Sequence, residues 1–290
     1  MTSILGILGH PLGHSLSVPM HMSAIFALGI DYVYLSFDVQ PEELQHTIAQ
    51  FKKEHIKGFN VTIPYKERII DYLDDIDQHA KRIGAVNTVN NEDGRLKGYN
   101  TDGIGYLKSL KEQTGFDPEG KQVLMLGAGG AARAVAFSLL ESGIKTLFVA
   151  NRTVQKAERL IQHLGSYFQK ATLYPLSLEK IVDLSYMDLD LIVNTTSVGM
   201  KNTKQSDTGR LMELLKFDNT FNKGLVVSDI VYNPPETPLL RMAKQAGLKI
   251  HDGIGMLVYQ GAESFKIWTG IQAPVEVMRQ AVSRALQEHH

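Results

Sequence analysis

The chain has 290 residues, 43% hydrophobic and 21% charged, with a formal net charge of −1, a composition ordinary for a soluble globular protein and long enough for two domains. That charge supplies no electrostatic footprint for nucleic acid or an anionic membrane. The lack of cysteine excludes disulfides, thiolate catalysis and cysteine-based metal sites. The start, Met1-Thr2-Ser3-Ile4, has no basic segment before an apolar run, and no apolar stretch could span a bilayer, so cytoplasmic residence is expected. The terminal Glu288-His289-His290 is given no function.

In chain order, short apolar runs alternate with amphipathic stretches, the pattern of an α/β protein with mostly parallel strands. The first third is predicted to hold strands near 4–8, 32–38, 58–63 and 86–90, with helices near 17–29, 41–53 and 65–73. Asn91-Glu92-Asp93-Gly94 reads as the turn of a β-hairpin running on to Tyr99. A helix from about 102 to 112 follows, and Gly115 to Gly120 breaks it. Strands near 122–126, 146–150, 171–174, 190–194 and 225–230 then alternate with helices near 130–142, 154–164, 177–183 and 208–216. A helix at 237–246 precedes a last strand at 248–251, and 254–288 reads as two helices without a strand. Folded back, that tail gives a discontinuous first domain, 1–102 with 254–290, around a second domain at 103–253.

The chemistry begins at Asn60-Val61-Thr62-Ile63-Pro64-Tyr65-Lys66. As a strand, it places Asn60 and Thr62 on one face and Val61 and Ile63 on the other. Pro64 suits the first position of a helix, which puts Lys66 in a first turn, where the macrodipole disfavours a second positive charge. A lysine with reason to release its proton is a candidate acid/base group, set against the plainer reading of a solvated surface lysine. Asp102, in Tyr99-Asn100-Thr101-Asp102-Gly103 at the expected domain junction, is the second candidate; the plainer alternative is a helix N-cap. Ser15 and Ser17 stand at a strand-to-helix junction, where hydroxyls and free N–H groups together can bind a carboxylate. His14 and His21 lack metal-site spacing and read as structural, and no metal is expected.

Gly127-Ala128-Gly129-Gly130-Ala131-Ala132 follows an apolar strand and opens a helix, matching G-x-G-x-x-A in its required context. Gly127 permits the tight turn, Gly129 lets a pyrophosphate approach the backbone, and helix N–H groups face its charge. The next strand ends in Asn151-Arg152-Thr153, where an NAD site usually carries an acidic residue. A neutral amide followed by a cation, with Lys156 one turn on, suits the 2′-phosphate of NADP.

Taken together, these residues resemble the shikimate dehydrogenase family along nearly the full chain. The most specific pieces are Ser15-Leu16-Ser17, Asn60 to Lys66, Gly84 to Thr88, Asn100 to Gly103, Asn151 to Thr153, Asp229 to Tyr232, Asp252-Gly253 and Gln260-Gly261-Ala262. The family shows Ser-Pro and then His-Asn near the first motif; Ser17-Val18-Pro19 and His21-Met22 stand here instead. The resemblance implies an N-terminal α/β substrate domain completed by C-terminal helices, plus a Rossmann domain, and NADP-linked reduction of 3-dehydroshikimate to shikimate. It further implies Lys66 as proton donor and acceptor with Asp102 as partner, and Ser15 and Ser17 on the substrate carboxylate with Tyr232 nearby. Thr62, Asn87 and Gln260 would contact the ring hydroxyls, the segment Asn194 to Met200 would lie near the nicotinamide, and Ile230 and Gly253 would face the cofactor. A quinate/shikimate dehydrogenase with relaxed substrate or coenzyme use, a non-catalytic ligand-sensing relative and a methylene-folate dehydrogenase are the rival readings. Oligomeric state is left open, a homodimer included.

Overall fold

A computed structural model describes residues 2–288 apart from 14, 55, 185–188, 202–204, 216, 218–220 and 223. The chain divides into two compact units, Met1–Gly105 with Leu257–His290, and Tyr106–Met256. Each boundary lies three residues beyond the one expected from the sequence, inside a helix in both cases.

The first unit is built on a six-stranded mixed sheet of order β2-β1-β3-β5-β6-β4. Its strands are β1 (Ser3–Gly9), β2 (Tyr32–Asp38), β3 (Gly58–Val61), β4 (Asp75–Ile76), β5 (Thr88–Glu92) and β6 (Arg95–Tyr99). β1 pairs in parallel with β2 and β3, whereas β5 runs antiparallel to both β3 and β6. The β5–β6 turn places Asp93 and Gly94 at positive φ, as a two-residue hairpin requires. The helices are α1 (Ser17–Leu28), α2 (Leu44–Lys53) and α3 (Gln78–Ile83), together with the start of α4 (Asp102–Thr114). Leu8, Phe51, Phe59, Val61, Ile69, Val89 and Leu96 form a core that excludes water on the α2 side.

The second unit carries a six-stranded, wholly parallel sheet of order β12-β11-β10-β7-β8-β9. Its strands are β7 (Gln122–Leu126), β8 (Thr146–Asn151), β9 (Thr172–Ser177), β10 (Leu191–Asn194), β11 (Val226–Asp229) and β12 (Lys249–His251). Strand β7 is central: the chain winds outward through β8 and β9, then returns to the other side for β10, β11 and β12. This is the doubly wound order of a Rossmann fold, with its switch point between β7 and β10. Helices α5 (Gly130–Glu141), α6 (Val154–Gly165), α7 (Gln205–Leu214) and α8 (Pro238–Gln245) accompany it. α9 (Gly253–Thr269) and α10 (Val275–Glu288) complete the chain, and α10 packs along α1 in the first unit.

Four expectations need correction. No helix starts at Pro64: Ile63-Pro64 and Lys66-Glu67 form turns, and only a short 3-10 helix, Arg68–Tyr72, follows. Lys66 therefore precedes the helical turn, because Tyr65 is buried and its hydroxyl donates to the Val39 carbonyl at 2.5 Å, drawing the chain inward first. Strand β3 stops at Val61, so Ile63 is outside the sheet and 63% exposed. Both faces of β3 are covered, and within the strand the alternation holds: Phe59 and Val61 enter the apolar core while Asn60 meets Tyr34 and Ser264. The segment predicted as helix 177–183 is a 3-10 helix, Leu178–Leu184. β4 and α3 were not anticipated, both being too short to show a period; α3 is opened by the Asp77 carboxylate, which accepts from His79 and Ala80.

Candidate functional site

In the first unit Lys66 Nζ donates to Asp102 Oδ2 at 2.6 Å, with the two side chains only 15% and 4% exposed. The lysine is presented by the turn after β3, and its own carbonyl is fixed by the Val86 N–H at 2.7 Å. Asp102 is the first residue of α4, and its N–H donates to the Asn100 side chain at 3.1 Å. Its carboxylate does not serve as a cap: one oxygen meets Lys66 and the other accepts from Asn87 Nδ2 at 2.9 Å.

Asn87, buried just before β5, is the hub of the polar wall behind this pair. Its amide nitrogen has three acceptors in reach, Asp102, Thr101 Oγ1 at 2.8 Å and Gln260 Oε1 at 3.2 Å, for two hydrogens. Its oxygen accepts from the Thr101 N–H at 2.8 Å and the Thr88 hydroxyl at 3.0 Å. Ser264, one helical turn past Gln260 on α9, contacts Thr88 at 2.7 Å and Thr101 at 3.2 Å and accepts from Asn60 Nδ2 at 3.1 Å. The Asn60 oxygen in turn accepts from the Tyr34 hydroxyl at 2.7 Å. Burial pushes the Tyr34 phenol well above its ordinary range, and the Ser17 hydroxyl beside it pulls the other way. A continuous polar chain thus runs from Ser17 through Tyr34, Asn60, Ser264, Thr88 and Asn87 to Asp102 and Lys66.

Ser15 and Ser17 are locally joined, the Ser17 N–H donating to Ser15 Oγ at 3.3 Å. The Thr62 N–H donates to the Leu8 carbonyl at 2.9 Å, tying the end of β3 to β1. His21 is fully buried and stacks on Tyr34 with ring centroids 4.3 Å apart. Burial pushes its imidazole down to about 3 against an opposing pull from Asn60, so the ring is neutral and structural. His14 lies outside the described residues.

In the second unit Gly127 follows β7 with φ of +107°, and a methyl there would stand 2.7 Å from Thr195 Oγ1. A methyl at Gly129 would meet nothing within 4 Å, so the backbone opening α5 faces open space beside Gly130 and Ala131. The first N–H groups of a helix have no partners within it, and an anion placed there is bound by them and by the dipole. The glycine turn therefore fits a dinucleotide pyrophosphate. After β8, the Asn151 side chain donates to the Thr153 carbonyl at 2.8 Å. Arg152 is 78% exposed and faces Asp207 of α7 at 3.9 Å, while Lys156 projects from α6 into solvent. Ile230 and Tyr232 follow β11, and the Ile230 carbonyl lies so close to Gly253 that a methyl at that glycine would collide with it.

The sequence reading missed the chain of buried groups behind Lys66: Tyr34, Thr88, Thr101 and Ser264 were not singled out as site residues. For Ser264 a signal was present, since a hydroxyl four residues after Gln260 on a helix shares its face. Tyr34 carried none, because a tyrosine in an apolar strand reads as core.

Three family profiles match the chain in order: shikimate dehydrogenase substrate binding domain over residues 7–89, shikimate/quinate 5-dehydrogenase over 109–218 and shikimate 5′-dehydrogenase C-terminal domain over 253–282. The chain is 46% identical over 287 residues to the shikimate dehydrogenase (NADP(+)) of Methanopyrus kandleri, spanning 99% of this chain and 97% of that one. It is similar to a crystal structure of a shikimate dehydrogenase in complex with NADP+, with a TM-score of 0.87, 42% identity, and coverage of 98% and 96%. It is also similar to shikimate 5-dehydrogenase from Thermus thermophilus in complex with NADP(H) and shikimate, with a TM-score of 0.81, 38% identity, and coverage of 98% and 100%.

Proposed function

Since the chain belongs to the shikimate dehydrogenase family, we propose that it catalyses the reversible NADPH-dependent reduction of 3-dehydroshikimate to shikimate, with Lys66 as the acid/base group. The observation that carries the catalytic assignment is the Lys66–Asp102 pair, 2.6 Å apart and backed by a satisfied polar wall. NADPH, when bound, supplies the hydride that the carbonyl carbon accepts. In reduction, Lys66 Nζ gives a proton to the oxygen as it gains negative charge; in the reverse direction the neutral amine takes that proton back. Asp102 orients the lysine, and Asn87 holds Asp102. Thr62, Asn87 and Gln260 are assigned to the ring hydroxyls, and Ser15 and Ser17, with Tyr232, to the carboxylate.

The first unit is accordingly the substrate domain and the second the NADP domain. In the second unit Gly127 to Ala131 take the pyrophosphate, and Asn151, Arg152, Thr153 and Lys156 take the adenosine end with its 2′-phosphate. Ile230 and Gly253 are assigned to the nicotinamide side. The test is to follow reduced-coenzyme formation with shikimate and with quinate, each offered NADP and NAD. Shikimate with NADP should be the fastest combination by kcat/KM. Equal rates with quinate, or with NAD, would remove the substrate or the coenzyme assignment respectively.

A further inference from the structure

Asp229, at the end of β11, is a fully buried carboxylate that the reaction as described does not use. It pairs in register with Asn194 at the end of β10, and Asn194 Nδ2 donates to its Oδ1 at 2.9 Å. The Val231 N–H donates to the same oxygen at 3.0 Å, and the Thr237 hydroxyl donates to Oδ2 at 2.7 Å. Each donor begins or holds a different piece of chain. Asn194 also donates to the Val198 carbonyl at 3.0 Å and accepts from the Thr196 N–H and hydroxyl at 3.1 and 2.7 Å, so it shapes the segment after β10. Thr237 caps α8 through the Leu240 N–H at 3.3 Å and closes the segment after β11.

We propose that Asp229 is a positioning residue for the nicotinamide half of the coenzyme, fastening the segments after β10 and β11 to one another. The inference rests on the dinucleotide reading above. In a doubly wound sheet the ligand lies beyond the C-terminal ends of the strands at the switch point. The adenosine end goes to the β8 side, where Arg152 stands, which leaves the ends of β10 and β11 for the other half. The segment after β10 also leans on the glycine turn: Thr195 donates to the Leu126 carbonyl through its N–H at 2.8 Å and its hydroxyl at 2.7 Å. A carboxylate is a costly choice for a purely structural tie. Asn194, the Val231 N–H and Thr237 are all neutral donors, and burial pushes the carboxyl up to about 7. In its ionised form it offers acceptors alone to the three donors that converge on it, whereas an amide would turn a donor toward one of them at every pH.

The test is Asp229→Asn, read with two ligands. Adenosine 2′,5′-bisphosphate reaches only the adenosine end, and its Kd should stay within about twofold of the starting protein. NADPH, followed by its own fluorescence, should bind about tenfold more weakly, the loss of roughly one charge-assisted hydrogen bond. kcat should fall while KM for shikimate is unchanged. Equal weakening of both ligands, or a folded variant with unchanged NADPH affinity, overturns the proposal. If Asp229→Asn does not fold, Thr237→Val removes one of the three donors and should show the same split at about threefold; no split there also overturns it. Starting protein that binds neither ligand would instead refute the dinucleotide reading.

Discussion

Replacing Lys66 by methionine tests the site through stability as well as rate. Asp102 is 4% exposed and, among the described residues, would retain only Asn87 as a side-chain partner, a buried charge without its counter-ion. Removing one member of a buried pair costs about 3–5 kcal/mol, whereas losing an exposed pair costs about 0–1 kcal/mol. The 15% exposure of Lys66 sets the expectation for Lys66→Met at the lower end of the buried range, roughly 3 kcal/mol. The molecule supplies its own probe: its one tryptophan, Trp268, belongs to the first unit, is buried and donates to the Val89 carbonyl at 2.9 Å. Urea unfolding followed by Trp268 fluorescence therefore reports the unit that carries the pair. The double variant Lys66→Met/Asp102→Asn, which no longer buries a lone charge, should recover about 1–3 kcal/mol relative to the sum of the singles. kcat should fall about 10²–10⁴-fold in Lys66→Met, with NADPH affinity near that of the starting protein. A single variant costing less than about 1 kcal/mol, with additive behaviour in the double, would show the pair to be effectively solvated and sink the argument.

Three further outcomes are expected. Arg152→Ala should raise the KM for NADPH by about tenfold or more while moving NADH by less than about twofold, because NADH has no 2′-phosphate; equal losses in steady-state kinetics would refute the assignment. Ser264→Ala leaves Asn60 Nδ2 and the Thr88 and Thr101 hydroxyls short of a buried partner and should cost about 1–3 kcal/mol by the same Trp268 unfolding assay. His21 has a folded-state pKa pushed down from 6.5 to about 3, so its contribution is fully present above 6.5 and is lost as pH falls toward 3. That interval corresponds to at most ~5 kcal/mol, and His21→Phe should flatten the acid limb of first-unit stability; an unchanged slope would show that the ring does not titrate there.

Much of the molecule was legible along the chain. The parallel strands of the second unit are uninterrupted apolar runs, because both faces of such a sheet are buried, and their period is visible without knowing their neighbours. The glycine turn was equally plain, since a backbone at φ of +107° restricts the residue that can occupy it. The turn around Lys66 was not, because Tyr65 drives it inward through contact with Val39, a residue 26 positions away. Propensity alone favoured a helix after Pro64, and long-range burial overrode it.

What the sequence determined by itself is the set of chemical groups and the local geometry that short-range sterics impose: the glycine turn, the hairpin, the alternation of strand and helix. The tertiary structure alone decided which groups meet. Lys66 and Asp102 are 36 positions apart, and Asn60 and Ser264 are 204, yet each pair lies within hydrogen-bonding distance. Their pairing follows from the requirement that every polar group buried with them find a partner, a condition on the folded interior that no local pattern encodes.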